Sequence, residues 1–230
     1  VCTQWYGRFF DANVGNNKTV YVSYFVSGED VENYDFHGDF YYIPEHEGYG
    51  IETTASITKK PVTVSATVPD RIYGDDYQVD TSKVVVTFDG IIDGDDVGYV
   101  VIDAYYHAHT VTDNAPVQVV YNVNGADAGN YQFPEYGEWL PPYYCVEATG
   151  RVLPRDIADA EIILGDALVY NGTEQTQSIA SVTIIGKDVT YTVNGNTATN
   201  VGVYELTITG NGNFTGTKTV AFEIAPDTSA

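Results

Sequence analysis

The chain has 230 residues, 43% of them hydrophobic, which is enough apolar side chain to bury a core. Its 32 acidic residues against 10 basic give a formal charge of −22. That balance argues against nucleic-acid partners, whose affinity comes from basic residues displacing phosphate counterions, and against anionic membranes. No run of about 18 apolar residues is present to span a bilayer as a helix, so no membrane insertion is expected of this segment.

The lack of Met and the 20 Tyr read as an exported, strand-rich segment that has lost its start and any leader. Near the N-terminus, Val20, Val22, Tyr24 and Val26 alternate with other residues and predict one apolar strand face. A Gly/Asp/Asn stretch then turns the chain, and Tyr34 is expected to start the next strand and plug a core. Further strands are predicted over 61–66, 83–88, 99–104 and 117–123, then over 162–164, 182–185, 189–193, 204–209 and 217–224. In the last, Val220, Phe222 and Ile224 alternate cleanly with polar neighbours. Asn171-Gly172 and Asn194-Gly195 suit turns that need positive φ. No segment of 10 or more residues has helical spacing, and 156–161 allows one helical turn at most.

The chain repeats itself. Residues 20–36 (VYVSYFVSGEDVENYDF) align with 117–133 (VQVVYNVNGADAGNYQF) at an offset of 117 − 20 = 97, with 9 of 17 positions identical. The matches include Gly28/Gly125, Asp30/Asp127, Asn33/Asn130, Tyr34/Tyr131 and Phe36/Phe133, and Gly210, Asn213 and Phe214 fill the same places in a shorter third copy. Short connectors around 57–61 and 152–156 then divide the chain into 1–56, a module lacking its N-terminal half; 57–156, a complete module with insertions; 157–226, a third module; and a tail, 227–230. Residue 2 already aligns with Tyr99, so the first module has no counterpart of 57–98 and its Val20–Val26 face is expected to be poorly covered. No Gly/Ser tract separates the modules, so they should abut.

YGDD at 73–76, GEDVENYDF at 28–36, GADAGNYQF at 125–133 and DANVGNNKTVYVS at 11–23 resemble the YDG repeats of large bacterial surface proteins. VYNGTEQ at 169–175 and TNVGVYELTITGNGNFTGTKTVAFEI at 199–224 resemble the related MBG-type and bacterial Ig-like repeats. Residues 89–112 and 134–149 depart from the pattern as Tyr- and Asp-rich insertions. The resemblance implies an all-β fold of tandem small β-sandwich (Ig-like) modules, with β-grasp-like modules as the alternative. It implies stalks in adhesins and other exported proteins, and it carries no catalytic residue or cofactor.

Candidate sites are few. His107 and His109, spaced i, i+2, would face one side of a strand and hold a metal if Asp103 or Asp113 converged on them. Asp93, Asp95 and Asp96 resemble a calcium loop in alternation, but the Glu that an EF-hand needs is missing; a solvated acidic turn is the plainer reading. Asn17, Asn171 and Asn213 sit in N-glycosylation sequons, two of them on turn positions of the repeat. Trp139, Tyr143 and Tyr144, beside Pro141-Pro142, could form an aromatic platform for a host glycan or protein or could cover a module interface. Cys2 and Cys145 are too few for a disulfide scaffold, and an intermolecular bridge between them would staple a head-to-tail polymer.

No nucleophile elbow, phosphate loop or motif pairing His with a nucleophile occurs, so no enzyme is expected. The sequence reading is a structural repeat region of a cell-surface protein, acting as stalk or spacer. Its partners would be neighbouring modules or copies of itself. The alternatives are a filament subunit assembled by strand exchange and a glycan- or protein-binding adhesin module.

Overall fold

A computed structural model describes residues 2–35, 41–43, 48–134 and 143–229. The protein is all-β. In chain order the first strands are β1 (Cys2–Phe9), β2 (Gly15–Val26), β3 (Tyr41–Ile43) and β4 (Gly48–Ile57). Next come β5 (Lys60–Pro61), β6 (Thr63–Thr67), β7 (Arg71–Ile72), β8 (Val85–Asp89), β9 (Gly98–Tyr106), β10 (Thr112–Asn124), β11 (Tyr131–Gln132), β12 (Tyr144–Leu153) and β13 (Arg155–Asp156). The last are β14 (Glu161–Leu164), β15 (Leu168–Val169), β16 (Gln175–Thr176), β17 (Ile179–Ile184), β18 (Lys187–Asp188), β19 (Tyr191–Asn194), β20 (Thr197–Ala198), β21 (Gly202–Gly210), β22 (Phe214–Thr215) and β23 (Thr217–Ala225). Helical structure among the described residues is limited to three-residue 3-10 turns.

Three four-stranded sheets share one plan. Their orders are β1-β2-β4-β3, β7-β12-β10-β9 and β15-β23-β21-β19. In each, two long antiparallel strands lie at the centre: β2 with β4, β10 with β12, and β21 with β23. The second and third sheets match strand for strand, down to a two-residue parallel edge, β7 on β12 and β15 on β23. The first differs at that edge, where β3 runs antiparallel to β4.

Two compact units gather around these strands. One comprises 1–64, 88–99 and 123–135, and the other 65–87, 100–122 and 136–230. In the first unit Val20 is buried, while Val22, Tyr24 and Val26 stay half-buried. In the second, Ala115, Val117, Val119 and Tyr121 of β10 are fully buried, as period-two alternation requires. A further core of Ile157, Ala160, Val182, Val189, Leu206, Ile208, Phe214 and Phe222 fills the C-terminal part of that unit. Each large apolar side chain removed from water contributes about 1.5–3 kcal/mol before the ordering cost is counted.

The predicted strands are present with shifts of a few residues. Two of the central strands, β4 and β12, lie outside the segments for which the sequence predicts strands. In β12 the buried positions after Cys145 are Ala148, Gly150 and Val152, so two of them carry almost no apolar side chain to signal the alternation. Gly150 is small for a reason: a Cβ there would lie 2.2 Å from the Tyr106 hydroxyl, which itself donates to the Pro69 carbonyl at 2.6 Å. The Asn-Gly turns form as expected, with Gly172 at φ 79° and Gly195 at φ 75°.

Gly150→Val should force the Tyr106 ring off its position and lower stability by about 1–3 kcal/mol, read from the urea midpoint at unchanged slope. Alkali gives a second test. Burial pushes the Tyr121 phenol up to about 12, with Tyr144 and Cys145 acting in the same direction. A phenol raised above its unfolded value of about 10 stabilises fully below pH 10, and that contribution is lost as pH climbs toward 12. The loss over that window is about 2–3 kcal/mol. Urea titrations of Tyr121→Phe should therefore show a shallower fall between pH 10 and 12 than the parent chain.

Candidate functional site

The Tyr-Gly-Asp turn at 73–75 is built on a buried cation. Arg71, 6% exposed, donates from Nε to the carbonyls of Asp75 (3.2 Å) and Asp76 (2.9 Å), from Nη2 to Asp75 O (2.6 Å) and from Nη1 to Ala108 O (3.2 Å). Its guanidinium also lies 4.1 Å from the centroid of the Tyr77 ring. Burying a charge without such partners costs several kcal/mol, so these bonds and the ring face are what make the site tolerable. Gly74 has φ +89°, and a Cβ there would lie 2.3 Å from Ile185 Cδ1. The Tyr73 N–H donates to Leu153 O at 2.8 Å, and its ring meets Phe214 edge-on at 5.4 Å. Arg155 closes the turn, donating from Nε to Tyr73 O at 2.7 Å and forming an ion pair with Asp75.

A second arrangement occurs twice, once in each compact unit. In the first unit the Val14 N–H donates to Asn130 Oδ1 at 2.9 Å. Lys60 and Pro61 pair in parallel with Tyr131 and Gln132, and the Val62 N–H donates to Gln132 O at 3.0 Å. In the second unit the Val111 N–H donates to Asn213 Oδ1 at 2.9 Å. Arg155 and Asp156 pair in parallel with Phe214 and Thr215, and the Ile157 N–H donates to Thr215 O at 2.9 Å. The parts are the same: a Val just before a central strand, a connector just after one, and an Asn-aromatic turn that receives both. The aromatic is buried in each case, Tyr131 at 2% and Phe214 at 5% exposure. Tyr34, at the same place in the first copy, is 67% exposed and does not plug a core.

The acidic loop serves this turn. Asp95 accepts from the Tyr131 hydroxyl, which in turn accepts the Ile92 N–H at 3.0 Å. The Asp96 N–H donates to the Asp127 carboxylate at 2.9 Å, while the Asp96 carboxylate takes the Ala126 N–H at 2.9 Å. Burial and the Asp95 carboxylate raise the Tyr131 phenol. Asp95 and Asp96 thus pin one loop to another, and Asp93 is exposed beside them.

The histidines are not on a strand, contrary to the i, i+2 expectation. His107 and His109 follow the end of β9, and each meets a tyrosine edge-on: Tyr105 at 4.8 Å and Tyr77 at 5.1 Å. Among the described residues no three His, Cys, Asp or Glu side chains gather where a metal could be held. Trp139 lies outside the described residues. Tyr143 is 38% exposed, and Tyr144 stacks on Tyr121 at 5.8 Å. Cys145 is buried and unbridged, and burial pushes its thiol up, which leaves little thiolate for exchange. Cys2 opens β1. Asn17 is exposed with φ 52°, Asn171 accepts both the N–H and the hydroxyl of Thr173, and Asn213 is committed to Val111.

The residues that sequence reasoning missed are Val14, Val111, Arg71 and Arg155. A signal exists for Val14, since Asn13-Val14-Gly15 recurs as Asn200-Val201-Gly202, but Val111 sits in Thr110-Val111-Thr112 and shares none of it. Replacing Asn213 by Ala should leave the Val111 N–H without its acceptor and cost about 1–3 kcal/mol, with Asn130→Ala doing the same for Val14. Thermal melts of the two single variants and their parent measure both.

No curated protein and no solved structure matches the chain. No helix among the described residues is long and apolar enough to cross a membrane. Residues 58–137, which carry the Arg71 turn, the acidic loop and the Asn130-Tyr131 turn, match the YDG domain.

Proposed function

We propose that the chain is a load-bearing array of YDG-type repeats, with 157–226 as a shorter MBG-type or Ig-like member, in an exported cell-surface protein where it acts as a stalk or spacer. The observation that carries this reading is the twofold use of one joint: Val N–H on Asn Oδ1, a parallel two-residue connector, and a buried aromatic. A catalytic or ligand-binding domain has no need to repeat such a joint. An array does, because each joint must hold its neighbour's connector in register. The shared order of the second and third sheets supports counting 157–226 as a further repeat. The charge of −22 fits a self-repelling, soluble segment.

Single-molecule pulling on the chain tests the reading. Asn130→Ala and Asn213→Ala should each lower the force of one unfolding event, since each removes one joint bond. The adhesin reading makes a different forecast: saturable binding on a glycan array or to host protein, lost when Trp139, Tyr143 and Tyr144 are replaced together by Ala. Such binding, with unfolding forces indifferent to Asn130 and Asn213, would replace the stalk with an adhesin module.

A further inference from the structure

The chain carries Asn-Gly pairs at 124–125, 171–172, 194–195 and 211–212. An asparagine side chain can be attacked by the backbone nitrogen that follows it, and a glycine there leaves that nitrogen unshielded by a Cβ. The structure separates the four pairs.

Three are held. A Cβ on Gly125 would run into Asp96 O, so the acidic loop packs directly on that peptide. Asn194 lies in β19 in register with Thr207, and a Cβ on Gly195 would lie 2.9 Å from Glu205 O. Asn211 donates its N–H to Thr190 O at 2.8 Å and accepts the Phe214 N–H at 3.1 Å. Its side-chain amide is seated between Gly210 O (3.0 Å) and the Thr192 N–H (3.2 Å).

Asn171 is placed differently. It is exposed, on the bend between β15 and β16, and a Cβ on Gly172 would meet nothing within 4 Å. Its Oδ1 accepts the Thr173 N–H at 2.9 Å and the Thr173 hydroxyl at 2.8 Å. Closing that ring folds the side chain back over the following peptide, whose nitrogen belongs to Gly172. Two donors at such distances on one carbonyl oxygen are the arrangement that stabilises the oxyanion of an acyl transfer.

We propose that Asn171-Gly172 is a self-modifying site, at which the folded chain converts its own asparagine to aspartate and isoaspartate. The Gly172 nitrogen gives its proton to water and bonds to Asn171 Cγ. The Cγ–Nδ2 bond breaks, and ammonia leaves. Water then opens the resulting succinimide at either carbonyl. One amide and one water are consumed, one carboxylate and one ammonium are formed, and nothing is oxidised or reduced. Thr173 supplies both donors to the oxygen on which charge develops. The product carries one negative charge beyond the −22 of the parent. Isoaspartate also adds a carbon to the main chain beside Tyr170, whose N–H closes the parallel edge on Ala225 O at 2.9 Å. The site uses one turn of one module, so it stands apart from the array reading.

Incubation of the folded chain in mildly alkaline buffer, then trypsin and mass spectrometry with fragmentation, tests it. Peptide 156–187 has Asn171 as its only asparagine, and peptide 188–218 holds Asn194 and Asn211. Asn171 should deamidate first. It should also react about fivefold faster in the folded chain than in peptide 156–187 released beforehand, an effect the size of one hydrogen bond. Thr173→Val keeps the N–H and loses the hydroxyl; it should slow the folded reaction about fivefold, while Thr173→Ser stays at the parent rate. Melting curves confirm that each variant is folded, and the comparison of chain with peptide needs no variant. Asn194 or Asn211 reacting as fast as Asn171 overturns the proposal. So does a released peptide that matches the folded chain, a Thr173→Val rate equal to the parent's, or a Thr173→Ser rate as low as that of Thr173→Val.

Discussion

An amide side chain accepting a backbone N–H from a distant strand end is the contact on which the arrangement turns. Asn130 and Asn213 each sit in a tight turn just before a buried aromatic, where their own backbone is already committed. Their side-chain carbonyls are left to satisfy an N–H that no ladder partner reaches. Val14 and Val111 are such donors, each one residue ahead of a long central strand. A single bond of this kind is worth about 1 kcal/mol. What multiplies it is that the connector pairing and the aromatic burial can form only in the same register.

The remaining polar features follow from that register. The Tyr131 ring must be buried to close its joint, yet its hydroxyl needs partners, and Asp95 and the Ile92 N–H supply them. The second joint uses phenylalanine at that place and has no hydroxyl to satisfy. There the adjoining Tyr73 turn takes over, held by Arg155 from the connector itself. The acidic 93–96 loop, which in sequence resembles a cation site, thus spends two of its carboxylates on backbone and hydroxyl donors within the same unit.

The chain's acidity acts at a different range. Exposed carboxylates repel over about 10 Å at 0.1 M salt, whereas the joint bonds act at contact. On the proposed reading this separates two tasks. Contact chemistry sets which elements pair, and the long-range field keeps unrelated surfaces apart.

The strand content and the turns were legible in the sequence because their cause is local. Period-two alternation in β10 and β23 and positive φ at Gly172 and Gly195 depend on residues within a few positions of each other. The 97-residue offset likewise exposed Asn33, Asn130 and their aromatics as matched positions. It could not say what those residues touch. The partner of Asn130 lies 116 residues away in the chain and that of Asn213 lies 102 away. Strand β12 is hidden in the sequence because Ala148 and Gly150 mask its alternation, and only the Tyr106 ring against Gly150 explains why that position is small. The buried cation at Arg71 was equally invisible, since its acceptors are main-chain carbonyls that any sequence would offer. Local preference and repetition were thus determined by the sequence by itself. Which N–H meets which side chain was decided by tertiary structure, because a hydrogen bond is selected by distance and angle in space and leaves no periodic trace along the chain.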